Sequence, residues 1–220
     1  MPSNTKVYCF KLQLENIKPV IWREFLIQET ATLKDLHYVI QILMGWTDYH
    51  LNEFTIKGQG YTIPNRIGNV SGGGISGSNI KLQELKLKQK SKILYDYDFT
   101  ARWKFELKLE SIEAPVGKKL YPICVFGERA SPDEECGGPE TFMIQQDHWF
   151  FRSDEVMLEL LEAVVDEDNA DKKISEVCDT EELEEAVYWM EADKYEFEEI
   201  NRFLKLYAEN DDRWLEAFEE

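Results

Sequence analysis

Residues 102–112 have the sequence RWKFELKLESI, which is the clearest alternating pattern in the chain. Phe105, Leu107 and Leu109 alternate with charged residues, a pattern typical of a β-strand with one buried face. Residues 92–99, KILYDYDF, come shortly before this stretch. The two segments are predicted to pair as antiparallel strands, and the rest of the fold is predicted outward from them.

Segments near the N-terminus extend this sheet. Residues 5–14 (TKVYCFKLQL) and 20–27 (VIWREFLI) predict an antiparallel hairpin, and residues 51–58 (LNEFTIKG) predict another strand. Between them, Thr32 followed by Asp35 resembles a capping box and predicts the start of a helix. The apolar residues that follow recur at helical spacing.

The second half of the chain has the periodicity of helices. Residues 121–139 are rich in Pro and Gly and are predicted to be irregular, followed by a helix over residues 153–165 and a break at residues 166–173. Asp179 is predicted to cap a further helix, and residues 197–207 carry an apolar stripe. Strands first and helices later favour the α+β class. We predict a mostly antiparallel sheet packed against an N-terminal helix and a C-terminal acidic helical layer.

The net charge of −18 is unevenly distributed. Residues 152–220 contain 25 acidic and 7 basic residues, whereas residues 1–151 contain 18 of each. The acidic part repels phosphate, which argues against direct nucleic-acid binding. It either forms a solvated surface or docks a basic protein partner. We expect residues 1–220 to form one domain, with a neutral sheet-rich part and an acidic helical part.

Hydropathy and cysteine content indicate the compartment. No apolar run approaches the roughly 18 residues needed to cross a bilayer, and no secretory signal pattern is visible at the N-terminus. We therefore expect a cytoplasmic protein without membrane contact. Cys9, Cys124, Cys136 and Cys178 form no C-x-x-C pair, and free thiols are expected.

Several short motifs occur in an order that resembles the plasmid open-reading-frame-three-like family, also described as transposon-passenger proteins. The motifs are IKPVIWR (17–23), TLKDLH (32–37), MGWTDYHLNEF (44–54), YDYDF (95–99) with Trp103, YPICVFG (121–127), PDEECGG (132–138) and YEFEEINRFL (195–204). The resemblance implies an α+β domain of unknown biochemical function, common on plasmids, without established catalytic residues. The chain departs from the family pattern at Thr100, Ala101 and Phe105, where the family has Gly, Asp and His.

Four polar residues form the sharpest site hypothesis. If His37, His50, Asp98 and Glu134 converged, two imidazoles and two carboxylates would suit a divalent metal or general acid–base chemistry. The alternative for His37 is a core residue hydrogen-bonded to the backbone, and for His50 a turn or capping residue. The spacing of the two histidines does not require that they meet.

Aromatic residues and thiols form a second candidate, a ligand pocket. Its members are Trp22, Trp46, Tyr95, Tyr97, Trp103, Cys124 and Cys136. The alternative is that aromatic side chains at strand positions belong to the core. Carboxylates near Cys136 would raise the pKa of its thiol and make it a poor nucleophile.

Two functions follow from these features. The preferred prediction is a binding or adaptor domain, possibly linked to plasmids or mobile elements, because no complete catalytic set is evident and the charge is lopsided. The alternative is a metal-dependent hydrolase or nuclease-like enzyme that uses the four residues of the site hypothesis. No cofactor is predicted.

Overall fold

A computed structural model describes residues 5–165 and 179–218. Eight strands form one sheet over these residues. The strands are β1 (Val7–Leu14), β2 (Trp22–Gln28), β3 (Asn52–Ile56), β4 (Gln59–Thr62), β5 (Ile75–Ser76), β6 (Lys92–Tyr97), β7 (Trp103–Glu113) and β8 (Ile123–Glu128). Their order across the sheet is β5-β4-β3-β6-β7-β1-β2-β8. All neighbours are antiparallel except β4 and β5, so the predicted α+β class with a mostly antiparallel sheet is confirmed.

Helices follow mainly after the strands. The helices are α1 (Leu33–Met44), α2 (Pro139–Val165), α3 (Thr180–Met190) and α4 (Phe197–Ala208), with short 3-10 helices at Leu82–Leu85 and Asp212–Phe218. The predicted break at residues 166–173, and Cys178, lie outside the described residues. The prediction of a single domain stays a prediction.

The alternating stretch forms β7, near the centre of the sheet. Phe105, Leu107 and Leu109 are buried, as the alternation predicts. Leu107 stands opposite Leu12 of β1 on one side and Ile93 of β6 on the other. Burial of each such side chain contributes about 1.5–3 kcal/mol, so this row stabilises the middle of the sheet.

Helix α1 covers the inner face of the sheet. The hydroxyl of Thr32 accepts a hydrogen bond from the backbone N–H of Asp35 at 3.1 Å, and the Asp35 carboxylate accepts from the Thr32 N–H at 2.6 Å. This capping box works with Asp in place of the usual Glu. Gly45 ends the helix with a left-handed φ of 66°. Between these ends, Leu36, Ile40 and other apolar residues join the hydrophobic cluster of the strands.

The C-terminal helices pack against both α1 and the sheet edge. The side-chain amide of Asn201 donates to the backbone O of Cys124 at 3.1 Å and accepts from its N–H at 3.0 Å. The hydroxyl of Tyr207 donates to Asp35 at 2.5 Å. Helix α4 is therefore fixed to β8 by one side chain and to the first turn of α1 by another.

Two elements differ from the predictions for this part of the chain, in which residues 121–139 are expected to be irregular and the next helix is expected to begin at residue 153. Residues 123–128 form β8, and α2 begins at Pro139 rather than at Ser153. Pro is favourable at the first position of a helix because its missing N–H has no partner there in any case. Ser153 lies inside the helix, where its hydroxyl donates to the backbone O of Trp149 at 2.9 Å. A serine that bonds back to the preceding turn resembles a cap in the sequence alone.

One buried cation connects several of these elements. The Arg23 guanidinium donates to the backbone O of Leu43 at 3.3 Å, to the backbone O of Glu128 at 2.9 Å and to the hydroxyl of Ser131 at 3.1 Å. It also lies 4.1 Å from the ring centroid of Tyr195. Burial lowers the pKa of Arg23 to about 10, so the side chain stays charged at neutral pH. Leu43 belongs to the last turn of α1, where the helix dipole favours a cation.

We expect Arg23→Met to lower the free energy of unfolding by about 3 kcal/mol, because it removes charge-assisted hydrogen bonds and leaves buried carbonyls unpaired. Arg23→Lys should recover only part of this loss, since an ammonium cannot reach several acceptors with the geometry of a guanidinium. Denaturant titration monitored by tryptophan fluorescence measures both. Arg213→Met, at an exposed arginine, should change stability by less than about 0.5 kcal/mol. Equal midpoints for Arg23→Met and the wild type would contradict the assignment.

Candidate functional site

The loops at one end of the sheet bring together three of the four residues of the site hypothesis. His50 precedes β3 and Asp98 follows β6, and these two strands are antiparallel neighbours with Asn52 opposite Tyr97. The His50 Nδ1 consequently lies 3.7 Å from a carboxylate oxygen of Asp98. Glu134, from the loop before α2, places Oε1 at 3.9 Å from the His50 Nε2.

The loop that carries Glu134 is held by two indoles. The Trp46 Nε1–H donates to the backbone O of Pro132 at 2.9 Å, and the Trp103 Nε1–H donates to the backbone O of Glu134 at 3.2 Å. Both indoles are buried. A Pro- and Gly-rich segment thus has a defined position because core side chains bind its backbone.

Glu134 is only 6% exposed and its carboxylate is fully hydrogen-bonded. Oε2 accepts from the backbone N–H of Thr47 at 2.6 Å and from the Thr47 hydroxyl at 2.7 Å. Oε1 accepts from the hydroxyl of Tyr97. Burial and the charge of Glu134 raise the pKa of Tyr97, so this phenol remains a donor.

Glu135 completes what we call the His50 cluster, which consists of His50, Asp98, Glu134 and Glu135. Its Oε1 lies 2.8 Å from the His50 Nε2. Partial burial opposes protonation of His50, but the hydrogen bond with Glu135 and the negative charges nearby outweigh it, so the pKa of His50 is raised. The Glu135 side chain is 64% exposed although it contacts the imidazole.

His37 does not join the cluster. It is buried on α1, where its Nδ1 lies 2.7 Å from the hydroxyl of Tyr95 and its Nε2 lies 2.7 Å from the carboxylate of Asp48. Both ring nitrogens have hydrogen-bond partners, so the side chain is a hydrogen-bonded core residue. Its partners are side chains rather than the backbone.

The aromatic candidates form core rather than a ligand pocket. Trp46, Tyr95, Tyr97 and Trp103 are buried, and the Trp46 ring lies 5.4 Å from Tyr97 and 5.1 Å from Trp103. Their rings contact one another and leave no surface for a ligand. Strand alternation cannot distinguish these two arrangements, because it identifies the buried face but not what fills it.

The remaining pocket candidates lie apart from one another. The Trp22 indole donates to Glu128 at 2.9 Å on the other face of the sheet edge. Cys124 is buried, with its Sγ 2.8 Å from the hydroxyl of Tyr195. Cys9, Cys124 and Cys136 are free thiols. Burial raises the pKa of both Cys124 and Cys136, so neither is activated as a nucleophile.

A surface cleft of about 570 Å³ opens beside the His50 cluster. Its lining includes His50, Asp98, Tyr49, Asn65 and Phe99. The Asn65 side chain donates to the backbone O of Tyr49 at 2.5 Å, which fixes the wall of the cleft. The sequence gives only a weak signal for this cleft, since its lining comes from three separate loops.

A second surface feature lies on α2. Among the described side chains of α2, six apolar ones are more than half exposed. Four of them recur at seven-residue spacing, namely Ile144 (65%), Phe151 (70%), Leu158 (56%) and Val165 (78%), and the other two are Phe150 and Leu161. We call the four regularly spaced residues the α2 stripe. The opposite face of α2, with Phe142 and Val156, is buried, and the Phe142 ring lies 5.1 Å from Trp189 on the α3 side. Helix α3 therefore covers one face of α2 and leaves the stripe on the other.

The surroundings of the α2 stripe are acidic. Helix α2 contains six acidic residues, and its single Lys or Arg, Arg152, forms ion pairs with Glu155, Glu159 and Glu182. Helix α3 contains four glutamates and no basic residue. The exposed apolar residues of the α2 stripe are therefore bordered by negative charge.

The fold, the His50 cluster and the α2 stripe define the class of protein. It is an α+β protein with a buried aromatic core, a small histidine–carboxylate cluster and an acidic helical surface. A family model described as plasmid pRiA4b ORF-3-like protein matches residues 6–203, and the chain belongs to this family. The resemblance noted from the sequence motifs is thereby confirmed.

Two relatives are described as uncharacterized or of unknown function. The chain is 30% identical over 130 residues to the uncharacterized protein y4hQ of Sinorhizobium fredii (strain NBRC 101917 / NGR234), a match that spans 59% of this chain and 66% of that protein. It also resembles the crystal structure of the protein of unknown function MM3350 from Methanosarcina mazei Go1. There the identity is 28% and the TM-score 0.62, over 90% of this chain and 98% of the other.

Membrane insertion by a helix is not indicated. Among the helices of residues 5–165 and 179–218, none combines the length and apolar content that would let it cross a bilayer. Helix α2 is long enough, but its acidic residues interrupt the apolar ones.

We expect Glu134→Gln to lower the free energy of unfolding by about 2 kcal/mol. The amide has one acceptor oxygen where the carboxylate has two, and its NH2 group would face other hydrogen-bond donors. The neighbouring exposed Glu135→Gln is the matched control and should change stability by less than about 0.5 kcal/mol. Thermal and urea denaturation of both variants check this. If both variants lost the same stability, the burial of Glu134 would not determine how much its carboxylate contributes to stability.

Proposed function

We propose that this protein is a non-enzymatic binding or adaptor domain that docks a basic amphipathic helix of a partner protein on the α2 stripe. The exposure of Ile144, Phe151, Leu158 and Val165 at seven-residue spacing carries the proposal. Single exposed apolar side chains are ordinary, but a contiguous apolar patch marks an interaction site more often.

The spacing of the α2 stripe suits a helix as the occupant. Residues seven apart lie almost above one another and drift by only about 20° per repeat, so they form one narrow seam along the helix. A partner helix can place its own apolar residues between them, as in a coiled coil. An extended strand would instead need an open sheet edge.

The negative charge around the α2 stripe favours a basic partner. Asp147, Asp154 and Glu162 lie on or beside the exposed side of α2 and are exposed. A second copy of the chain would bring two acidic surfaces together, and nucleic acid would be repelled in the same way. Lysine or arginine residues flanking an apolar seam would complement this surface and speed association at low ionic strength.

The enzyme alternative has weaker support. Of its four residues, His37 is held by Asp48 and Tyr95 within the core, so the two imidazoles that this alternative requires do not meet. A general base also needs reach to a substrate proton, and the buried His37 lacks it. An association with plasmids or mobile elements forms part of the proposal, on the strength of the family description, and so does the cytoplasmic location that we expect.

The test uses a synthetic helical peptide as long as α2, with leucine at seven-residue spacing and lysine at the flanking positions. A matched peptide carries glutamate in place of lysine. We expect the lysine peptide to bind and its affinity to fall as salt rises. The double variant Phe151→Gln/Leu158→Gln should weaken binding by roughly tenfold or more, because two central apolar contacts are lost. Fluorescence anisotropy with a labelled peptide measures the affinities.

Phe126→Gln is the control, since Phe126 is similarly exposed but lies on β8. It should bind the lysine peptide as the wild type does. Circular dichroism verifies that each variant is folded. Equal binding of the two peptides, or wild-type affinity in the double variant, would overturn the proposal. So would light scattering that shows a dimer which the double variant abolishes, because a second copy would then occupy the stripe.

A further inference from the structure

The His50 cluster has an unbalanced charge. Asp98, Glu134 and Glu135 surround one imidazole, and among the described residues the ion pairs of these three carboxylates involve only His50. Glu134 is buried, and its three hydrogen bonds come from neutral donors, so of the side chains that the structure describes only His50, 3.9 Å away, balances its negative charge. Even a protonated His50 leaves two negative charges uncompensated.

The positions of the ligand atoms suit one metal ion. One nitrogen of His50 and one oxygen each of Glu134 and Glu135 lie within 4.8 Å of one another. The Nε2 of His50 is 2.8 Å from Glu135 and 3.9 Å from Glu134. Ligands bound to the same ion at about 2.1 Å lie roughly 3–4 Å apart, so a small movement of the exposed Glu135 side chain completes the arrangement.

The other side of the imidazole is consistent with this arrangement. The His50 Nδ1 lies 3.7 Å from Asp98, an ion-pair distance longer than a hydrogen bond, while Nε2 faces the two glutamates. Metal-binding histidines regularly direct their second nitrogen toward a carboxylate, which fixes the tautomer and the ring orientation. The cleft lined by His50 and Asp98 gives an ion access from solvent.

We propose that His50, Glu134 and Glu135 bind a divalent transition-metal ion of the zinc or manganese type, with Asp98 as the residue that positions the imidazole. One nitrogen and several carboxylate oxygens favour these ions over copper(I), which prefers sulfur, and over magnesium or calcium, which prefer oxygen ligands alone. Water completes the coordination on the side of the cleft. This site is independent of the α2 stripe, so either proposal can fail without the other.

The experiment titrates chelator-treated full-length protein with ZnCl2, MnCl2, MgCl2 and CaCl2 by isothermal titration calorimetry. We expect one equivalent of zinc or manganese per chain and weaker binding of magnesium and calcium. His50→Ala and Glu135→Gln should each weaken binding by at least roughly tenfold, and Asp98→Asn by roughly 10–100-fold, as expected for a positioning partner. Asn tolerates the left-handed backbone of residue 98.

The third histidine supplies the matched control. His148 lies on the exposed side of α2, and His148→Ala should bind zinc as the wild type does. Cobalt(II) spectra separate the site from the thiols, because a thiolate ligand adds an intense charge-transfer band that this site lacks. Asp98→Asn should keep the cobalt spectrum of the wild type at saturation while its affinity falls, which a merely structural role would not produce.

Several results would overturn the proposal. These are the absence of zinc and manganese binding, wild-type affinity in both His50→Ala and Glu135→Gln, tighter binding of calcium or magnesium, or a thiolate band in the cobalt spectrum. Because Glu135 is exposed, its glutamine variant remains informative even if His50→Ala is less stable.

Discussion

The buried guanidinium of Arg23 is the interaction on which the assembly of the fold depends. One side chain on β2 binds the last turn of α1, the end of β8 and Ser131 in the loop beyond it, and lies against Tyr195 before α4. A charge in this position is tolerated only when all of its acceptors are in place. Strand, helix and C-terminal segment must therefore assemble together around it. Gly127 belongs to the same constraint, because a Cβ there would lie 2.7 Å from the Tyr195 ring and 2.9 Å from the Arg23 side chain.

The aromatic core performs a related task at the same end of α1, where Arg23 binds Ser131 and Trp46 binds the next residue, Pro132. Trp46 and Trp103 bury their rings among the strands but direct their N–H groups to the backbone of the loop that carries Glu134. The hydrophobic interior and the acidic cluster are thus parts of one arrangement. A core that also donates hydrogen bonds can hold an irregular loop in a single conformation. This is why carboxylates distant in sequence meet at His50.

Local patterns predicted much of the fold. The alternation in β7, the β1–β2 hairpin and the Asp-containing capping box of α1 all act over a few residues, and the structure has each of them. By contrast, β8 and the first half of α2 lie where Pro and Gly dominate the composition. Their conformation depends on tertiary contacts, such as the pairing of β8 with β2 and the close approach of Gly138 to Ala101. The same distinction applies to the site: the sequence identified His50, Asp98 and Glu134, but only the packing of α1 could separate His37 from them.

The bidentate contact of Asn201 with Cys124 has a consequence for the solubility of the sheet. Strand β8 lies at an edge, where unpaired backbone groups invite another chain to add a strand. The amide of Asn201 offers one donor and one acceptor, as a peptide group does, and occupies both backbone groups of Cys124. Helix α4 thereby covers part of the edge to which a further strand could otherwise pair. One side chain of the acidic C-terminal region thus makes the hydrogen bonds at Cys124 that an added strand would need.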